Sequence, residues 1–322
     1  MGGRLATGLE KVSIDLSSLR EGGFWAIVGT FESNWILAKF REMQFADLPK
    51  SESWQPVPLD SWQSTANEEQ YVQYVNAIKE HIAMGDVYQV NACRILNAID
   101  SKNPSLLPLA NEIQNSNPAP FASYLSLPGL EIASASPERF LSLSNRTIMS
   151  SPIKGTSASE EFLAKDEAEN LMIVDLIRND IGAVAKPGTV TTPRLLDTEA
   201  HPGLFHLVSD VQGEIAENLD FVDVLEKMMP PGSVSGAPKS SALQIIEKYE
   251  GQRGPYCGAI GWYDGSCAQI AVGIRTFWRG DDQVLKFGTG AGITWDSDPH
   301  MEWQETELKA RRLINIASGV VR

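Results

Sequence analysis

The chain has 322 residues, a formal charge of −14, and 43% apolar against 21% charged residues. Such a length and composition suit a folded protein with a large core, organised as two domains or as one large one. The negative charge and the lack of any Lys/Arg run argue against a nucleic-acid partner, because neutralising phosphates takes a concentrated basic surface.

In chain order, Met1–Leu16 lacks an apolar core of signal-peptide length, and no segment approaches the roughly 20 apolar residues of a bilayer span, so a cytoplasmic protein without a membrane partner is expected. Phe24–Phe40 alternates as strands do. Ser51–Thr65 (SESWQPVPLDSWQST) is polar and reads as a linker or surface loop. Glu68–Gly85 has helical apolar spacing at Tyr71, Tyr74, Val75, Ile78 and Ile82, with Gly85 as C-cap. Strands are predicted at Phe121–Leu127, Arg139–Leu143, Gly258–Tyr263, Ala268–Phe277 and Gln283–Thr289, and helices at Phe162–Arg178, Phe221–Met229, Ser241–Lys248 and Met301–Ile316. Regular βαβ alternation is missing, which predicts an α+β fold with extensive antiparallel sheet. The three cysteines, Cys93, Cys257 and Cys267, are odd in number and lack metal-ligand spacing, so they read as small buried thiols.

Two helical segments carry acids on one face: Asp166 with Glu169, and Glu302 with Glu305, with Lys309 one turn further on. Such pairs usually mark a solvated helix face, but two facing acidic helices would also suit Mg²⁺. Pro230–Lys239 (PPGSVSGAPK) opens a helix and offers backbone N–H groups and Lys239 to an anion. Gly288–Gly292 (GTGAG) follows a strand and offers a second backbone cradle. Neither segment matches a P-loop or a dinucleotide fingerprint. Lys154 stands between Pro152 and Gly155 at a strand end or turn, as a surface charge or as a functional amine. Arg275 lies in an apolar run (AVGIRTF), where an inward cation needs an acidic residue or a ligand carboxylate. His206, taken alone, reads as a packed histidine. No cysteine has a nucleophile-elbow context, so ammonia for any amination must come from another subunit.

Taken together and in order, these motifs resemble the chorismate-utilising enzymes, most closely the aminodeoxychorismate synthases. The matching pieces are GDVYQVN at 85–91, SPERF at 136–140, PIKGT at 152–156, AENLMIVDLIRNDIG at 168–182, HLVSD at 206–210, GSVSGAPK at 232–239, GAIGW at 258–262, IRT at 274–276, GAGI at 290–293 and EWQETELKA at 302–310. The resemblance covers about residues 70–318. It implies two large packed antiparallel sheets with helices outside, an anthranilate synthase component I-like fold with the active site between the sheets.

It also implies roles. Glu169 and Glu305 resemble Mg²⁺ ligands, with Asp166 and Glu302 as their partners. Arg275, Tyr256, the Gly236–Ala237 backbone and the Gly290–Ala291–Gly292 backbone resemble the groups that hold the two carboxylates of chorismate, with Lys309 close to the metal-bound one. Glu138 resembles the acid that assists departure of the C4 hydroxyl, and His206 a histidine facing the ring. A lysine in the Lys154 slot is similar to aminodeoxychorismate synthases, whereas anthranilate and salicylate synthases have a different residue there. The resemblance thus implies conversion of chorismate and ammonia to 4-amino-4-deoxychorismate through a covalent Lys154 intermediate, for para-aminobenzoate and folate biosynthesis, with a separate glutamine amidotransferase as ammonia source.

Related enzymes are longer at the N-terminus, which divides this chain into a truncated N-terminal sheet region and linker at 1–66 and a chorismate-binding catalytic region at 67–322, in one compact unit. Of the relatives' tryptophan pocket only Phe31–Ser33 and Asn117–Phe121 have counterparts, and the segment between Thr156 and Asp166 is short. Anthranilate synthase component I and a non-catalytic chorismate-binding subunit are the alternatives. Without the resemblance, a metal-dependent hydrolase would fit the carboxylates and lysine but leave the glycine segments unexplained.

Overall fold

The computed structural model describes residues 1–157, 161–162, 164–201 and 204–320. The chain begins with β1 (Arg4–Ser13), β2 (Phe24–Gly29), β3 (Trp35–Phe45), β4 (Gln63–Ser64), α1 (Glu68–Met84), β5 (Gln89–Ile99) and α2 (Leu107–Ser116). It continues through β6 (Phe121–Leu127), β7 (Leu130–Ser136), β8 (Arg139–Ser144), β9 (Thr147–Ser151), β10 (Ile153–Ser157), α3 (Ala164–Gly182), β11 (Thr191–His201) and β12 (Leu204–Glu214). The last part holds α4 (Phe221–Met228), β13 (Gly236–Ala237), α5 (Lys239–Tyr249), β14 (Ala259–Tyr263), β15 (Cys267–Val272), β16 (Thr276–Arg279), β17 (Val284–Ile293) and α6 (Pro299–Ala317).

These strands form two antiparallel sheets. One has ten strands in the order β1-β3-β2-β14-β15-β8-β9-β12-β10, with β11 on β12; the other has seven in the order β13-β5-β17-β16-β7-β6, with β4 on β5. The larger core cluster joins Ile27, Leu37, Leu141 and Ile260 of the first sheet to Val90, Ile95, Ile132 and Ile293 of the second, with α1 and α3–α5 packed on it. A second cluster sets α2 and α6 against Ala133, Phe277, Leu285 and Phe287 of the seven-stranded sheet. The fold is therefore α+β, with two packed antiparallel sheets and outer helices, as the sequence predicts. Among the described residues no helix is long and apolar enough to cross a membrane.

The helices follow local signals closely. Asn67 and Gln70 form a reciprocal capping box at the start of α1, and Gly85 ends it at φ 82°, a left-handed conformation that costs glycine little. Asp298 caps α6 by accepting from the N–H groups of His300 and Met301. Strand extents depart further from expectation. Phe24–Phe40 is a hairpin, β2 and β3, turning at Thr30–Asn34. The run Ala268–Phe277 is two strands in different sheets, broken at Gly273–Arg275, where Arg275 sits at φ 51°. The glycines 288–292 do not follow a strand but lie inside β17, paired with β5. Strands β1–β3, from the first 66 residues, join the ten-stranded sheet through β14. The polar stretch after them lies along α6, with Trp54 Nε1 donating to Ala317 O at 2.7 Å. The short segment between Thr156 and Asp166 falls largely outside the described residues.

Two chain crossings join the sheets side by side. Pro137–Glu138 carries the chain from β7 in the seven-stranded sheet to β8 in the ten-stranded one, and Gly273–Arg275 carries it back from β15 to β16. They are bonded on both sides: Val272 N–H donates to Glu138 O and Ala135 N–H to Arg275 O, each at 3.0 Å.

Glycines in β17 allow Tyr256 to approach the sheet. A Cβ on Gly288 would stand 2.0 Å from Tyr256 Cγ, well inside contact distance. Gly288→Ala should therefore destabilise the protein by about 1–3 kcal/mol through overpacking, read as a lower urea midpoint. A variant as stable as wild type would mean that Tyr256 has room to move.

Candidate active site

The seam between the sheets gathers the charged groups. Glu138, on the first crossing, is 5% exposed. Its backbone is fixed by Ser136 Oγ, which accepts from Glu138 N–H at 3.3 Å and donates to Val272 O at 2.6 Å. Its Oε1 accepts from Ser233 Oγ at 2.5 Å. Lys154, the second residue of β10, reaches the same place, and its Nζ donates to Ser233 O at 3.4 Å. Gly155 follows at φ 80°, and the register of β10 against β12 shifts between Lys154 and Thr156. The lysine thus projects from a local irregularity in an edge strand.

Burial pushes the Glu138 carboxyl above the usual carboxylate range, while the Ser233 hydrogen bond and the cations Lys154 and Arg275 hold it down. Burial likewise pulls the Lys154 ammonium below the usual lysine range; Glu138 opposes this, Lys309 adds to it, and Glu169 and Glu305 oppose it. Each shift is toward the neutral form, and each is opposed by the charge of the other group. Arg275, on the second crossing, is lowered by burial and supported by Glu138. Among the described residues its guanidinium has no salt bridge or side-chain hydrogen bond, which leaves its donors available to an anion.

Carboxylates enter from two helices. Glu169 on α3 and Glu305 on α6 both bear on the Lys154 ammonium. Glu305 Oε1 pairs with Lys309 Nζ at 2.6 Å, and that ammonium also donates to Gly290 O at 3.1 Å. Asp166 stands beside Gly155, whose added Cβ would be 3.0 Å from the Asp166 Cβ. Glu302 is buried, with Oε1 accepting from Ser297 Oγ at 2.6 Å.

Other expected groups surround this seam. Gly236–Ala237 forms β13, paired with Val90 and Gln89 of β5; Gly236 has φ 147°, and a Cβ there would meet Gln89 O at 2.3 Å. Gly290–Ala291–Gly292 pairs with Cys93, Ala92 and Asn91. β16 pairs only with Phe287 and Lys286 of β17, so the opposite edge of the glycine stretch is not in the β16 ladder. Tyr256 is buried, and an added Cβ on Gly290 would lie 3.2 Å from its hydroxyl. His206 is buried on β12, in register with Thr156 and Glu199.

Lys239 has a different setting: its Nζ pairs with Asp180 at 2.7 Å and donates to Met228 O at 3.1 Å, so its charge is already met within the fold. Sequence reasoning missed Ser233, which touches both Glu138 and Lys154. It also missed Arg253, whose guanidinium bonds Glu250, Val234 O and Asn91 O behind the site. Cys93 and Cys257 are buried free thiols and Cys267 is partly exposed.

A family model described as chorismate binding enzyme matches residues 32–315. The chain belongs to this family. It is 39% identical over 269 residues to aminodeoxychorismate synthase component 1 of Escherichia coli (strain K12), covering 79% of this chain and 58% of that protein. It is 38% identical over 270 residues to anthranilate synthase component 1 of Aquifex aeolicus (strain VF5), covering 79% of this chain and 54% of that protein. The chain thus spans little more than half the length of these relatives. Among solved structures, anthranilate synthase component I from Streptococcus pneumoniae TIGR4 superposes with TM-score 0.79 at 24% identity, over 91% of this chain and 80% of that one. The menaquinone-specific isochorismate synthase from Escherichia coli gives TM-score 0.83 at 17% identity, over 98% and 85%. At these identities the structural likeness establishes the fold, which is the anthranilate synthase component I-like one.

The mutual influence of the seam charges is testable. Removing the Lys154 cation takes away one group that favours the Glu138 carboxylate, so in Lys154→Met the Glu138 carboxyl should titrate at higher pH than in wild type. Its infrared band can be assigned by its loss in Glu138→Gln. An unchanged or lower titration would mean that the two side chains do not face each other.

Proposed function

We propose that this member of the chorismate binding enzyme family is an aminodeoxychorismate synthase component I, converting chorismate and ammonia to 4-amino-4-deoxychorismate. Overall identity does not separate this reading from anthranilate synthase, since both kinds of relative match almost equally. The observation that carries it is the convergence of Lys154 and Glu138 on Ser233, with burial favouring the neutral amine and the neutral acid.

In this scheme Arg275 holds one substrate carboxylate, with Tyr256 and the backbones of Gly236–Ala237 and Gly290–Gly292 shaping the pocket. His206 faces the ring. The neutral Lys154 amine attacks C2 of chorismate, the ring double bonds shift, and the C4 hydroxyl leaves as water with the proton of Glu138. The new ammonium on Lys154 then returns a proton to the Glu138 carboxylate. Ammonia adds at C4, the double bonds shift back, and the C2–N bond to Lys154 breaks as the departing amine takes up that proton, which leaves Lys154 as the free amine. A hydroxyl is thereby replaced by an amine with no redox change.

The donor set fits Mg²⁺. Two carboxylates from different helices, Glu169 and Glu305, bear on one ammonium, with Asp166 and Glu302 on the same helices. Mg²⁺ takes one or two protein carboxylates and completes its octahedron with water and substrate oxygens. Bound there, Mg²⁺ would neutralise a substrate carboxylate and ease the charge that develops as the hydroxyl departs. Lys309, bridging Glu305 and Gly290 O, keeps that carboxylate and the glycine strand in register. Ammonia would come from a separate glutamine amidotransferase, since Cys93 and Cys257 are buried and none of the three cysteines has a nucleophile-elbow context.

The test is product analysis with chorismate, Mg²⁺ and either ammonium or glutamine. The expected product is 4-amino-4-deoxychorismate from ammonium and none from glutamine; anthranilate as main product would overturn the assignment in favour of anthranilate synthase. Lys154→Ala and Lys154→Arg should both lose most of the rate, because arginine keeps the charge but cannot deprotonate. Glu138→Gln should lose about 10²–10⁴-fold in kcat. Glu169→Gln or Glu305→Gln should abolish activity, and turnover in excess chelator would refute the metal requirement. The pH profile of kcat should be bell-shaped, rising as Lys154 loses its proton and falling as Glu138 loses its own.

A further inference from the structure

We infer that Ser233 is the positioning residue of this site, its hydroxyl holding one carboxyl oxygen of Glu138 while its carbonyl holds the amine of Lys154. For the identity of the substrate this rests on the aminodeoxychorismate synthase reading; the two contacts do not. Ser233 is 6% exposed, and its side chain and main chain are turned to different partners: Oγ to Glu138 Oε1 at 2.5 Å, and O to Lys154 Nζ at 3.4 Å. Acid and amine reach the seam from different elements, Glu138 from the first crossing and Lys154 from β10. Ser233 is the one residue in the described structure that hydrogen-bonds both side chains.

The turn that presents Ser233, Gly232–Val234, is itself clamped. Ser235 Oγ donates to Pro231 O at 2.7 Å, Asn91 N–H to Ser235 O at 2.9 Å, and the buried Arg253 Nη1 to Val234 O at 3.2 Å. On its other side, a Cβ on Gly232 would stand 2.9 Å from Asp180 Oδ2 and 3.0 Å from Leu176 Cδ2, so α3 packs directly on the turn. Ser233 therefore has little freedom to retreat, and the geometry it imposes is stiff.

The chemical consequence follows from carboxyl hydrogen bonding. With the Ser233 O–H donating to Oε1, the acidic proton of neutral Glu138 is carried by Oε2. When that proton has gone to the leaving hydroxyl, the same Ser233 O–H stabilises the carboxylate left behind. Without it, a nearly dry carboxylate would lose its donor, and the acid would be harder to ionise as the hydroxyl leaves. The charged groups that bear on Glu138 are Lys154 from β10 and Arg275 from the second crossing, and Ser233 adds a hydrogen bond to its carboxyl.

The test compares Ser233→Ala, Ser233→Thr and Ser233→Cys, with folding checked by circular dichroism and thermal melting. In ligand-free protein the Glu138 carboxyl, followed by its infrared band against Glu138→Gln, should titrate at higher pH in Ser233→Ala, because a donor to the carboxylate is gone. The hydroxyl of Ser233→Thr should restore it. With chorismate, Mg²⁺ and ammonium, Ser233→Ala should lose about 100-fold in kcat through mispositioning, with KM for chorismate little changed. The falling limb of its pH profile should move up with the infrared titration. If Ser233→Ala does not fold, Ser233→Cys, of similar size and a weaker donor, should show the same shifts in smaller measure. An unchanged Glu138 titration and pH profile in the folded variant would overturn the proposal while leaving the activity assignment intact. A shifted titration in a protein that does not turn over chorismate would instead sink the activity assignment and leave Ser233 in its place.

Discussion

The paired crossings between the two sheets are the constraint on which the site depends. Packed antiparallel sheets can share strands only where the chain passes from one to the other. Here two such passages lie side by side and bond through Val272 N–H to Glu138 O and Ala135 N–H to Arg275 O. A carboxyl and a guanidinium are thereby placed at the buried seam by backbone geometry. Burying a charge is costly unless it is paired or neutralised. The Glu138 carboxyl meets that cost partly by moving toward its neutral form and partly through Ser233, Lys154 and Arg275. The same low-dielectric setting disfavours the charge on Lys154. A fold that hides these groups from water thus moves both toward their neutral forms.

The wall beside the seam packs closely because side chains are absent from it. Glycines in β17 let Tyr256 lie against the strand, and the absence of a side chain at Gly236 lets β13 approach Gln89 and Ala242. Behind this wall the buried Arg253–Glu250 pair, with Arg253 Cζ 4.1 Å from the Phe31 ring, ties β5, the Ser233 turn and the stretch before Tyr256 together. Removing either partner would strand a buried charge, so this pair makes the wall stiff.

Except for α2, which was not predicted, the helices were legible in the sequence because their signals are local: the apolar spacing of α1, Gly85 and the acidic face of α6 specify themselves within a few residues. The crossings were not. The run from Ala268 to Phe277 keeps strand-like apolar character straight through Arg275, and only the positive φ of that residue, invisible in the sequence, shows where the chain changes sheets. Gly288–Gly292 read as a backbone cradle following a strand because glycine weakens strand propensity, but its pairing with β5 and the packing of Tyr256 hold it in a strand. Lys239, a plausible anion partner by motif, is engaged by Asp180 from α3, a contact between residues far apart in the chain. Ser233 stood inside a recognised motif, yet its importance comes from meeting Glu138 and Lys154, which lie 95 and 79 positions away.

Covalent participation of Lys154 is the centre of the account, because it distinguishes nucleophilic catalysis from a site in which the lysine only supplies charge. Intact-mass measurement of wild-type protein mixed with chorismate and Mg²⁺, without ammonia, reads this directly. The account predicts a species heavier by chorismate less one water, mapped to the peptide containing Lys154, absent from Lys154→Ala and discharged when ammonium is added. Ammonium-dependent turnover by a wild-type protein that never acquires that mass, even on rapid quenching, would contradict it.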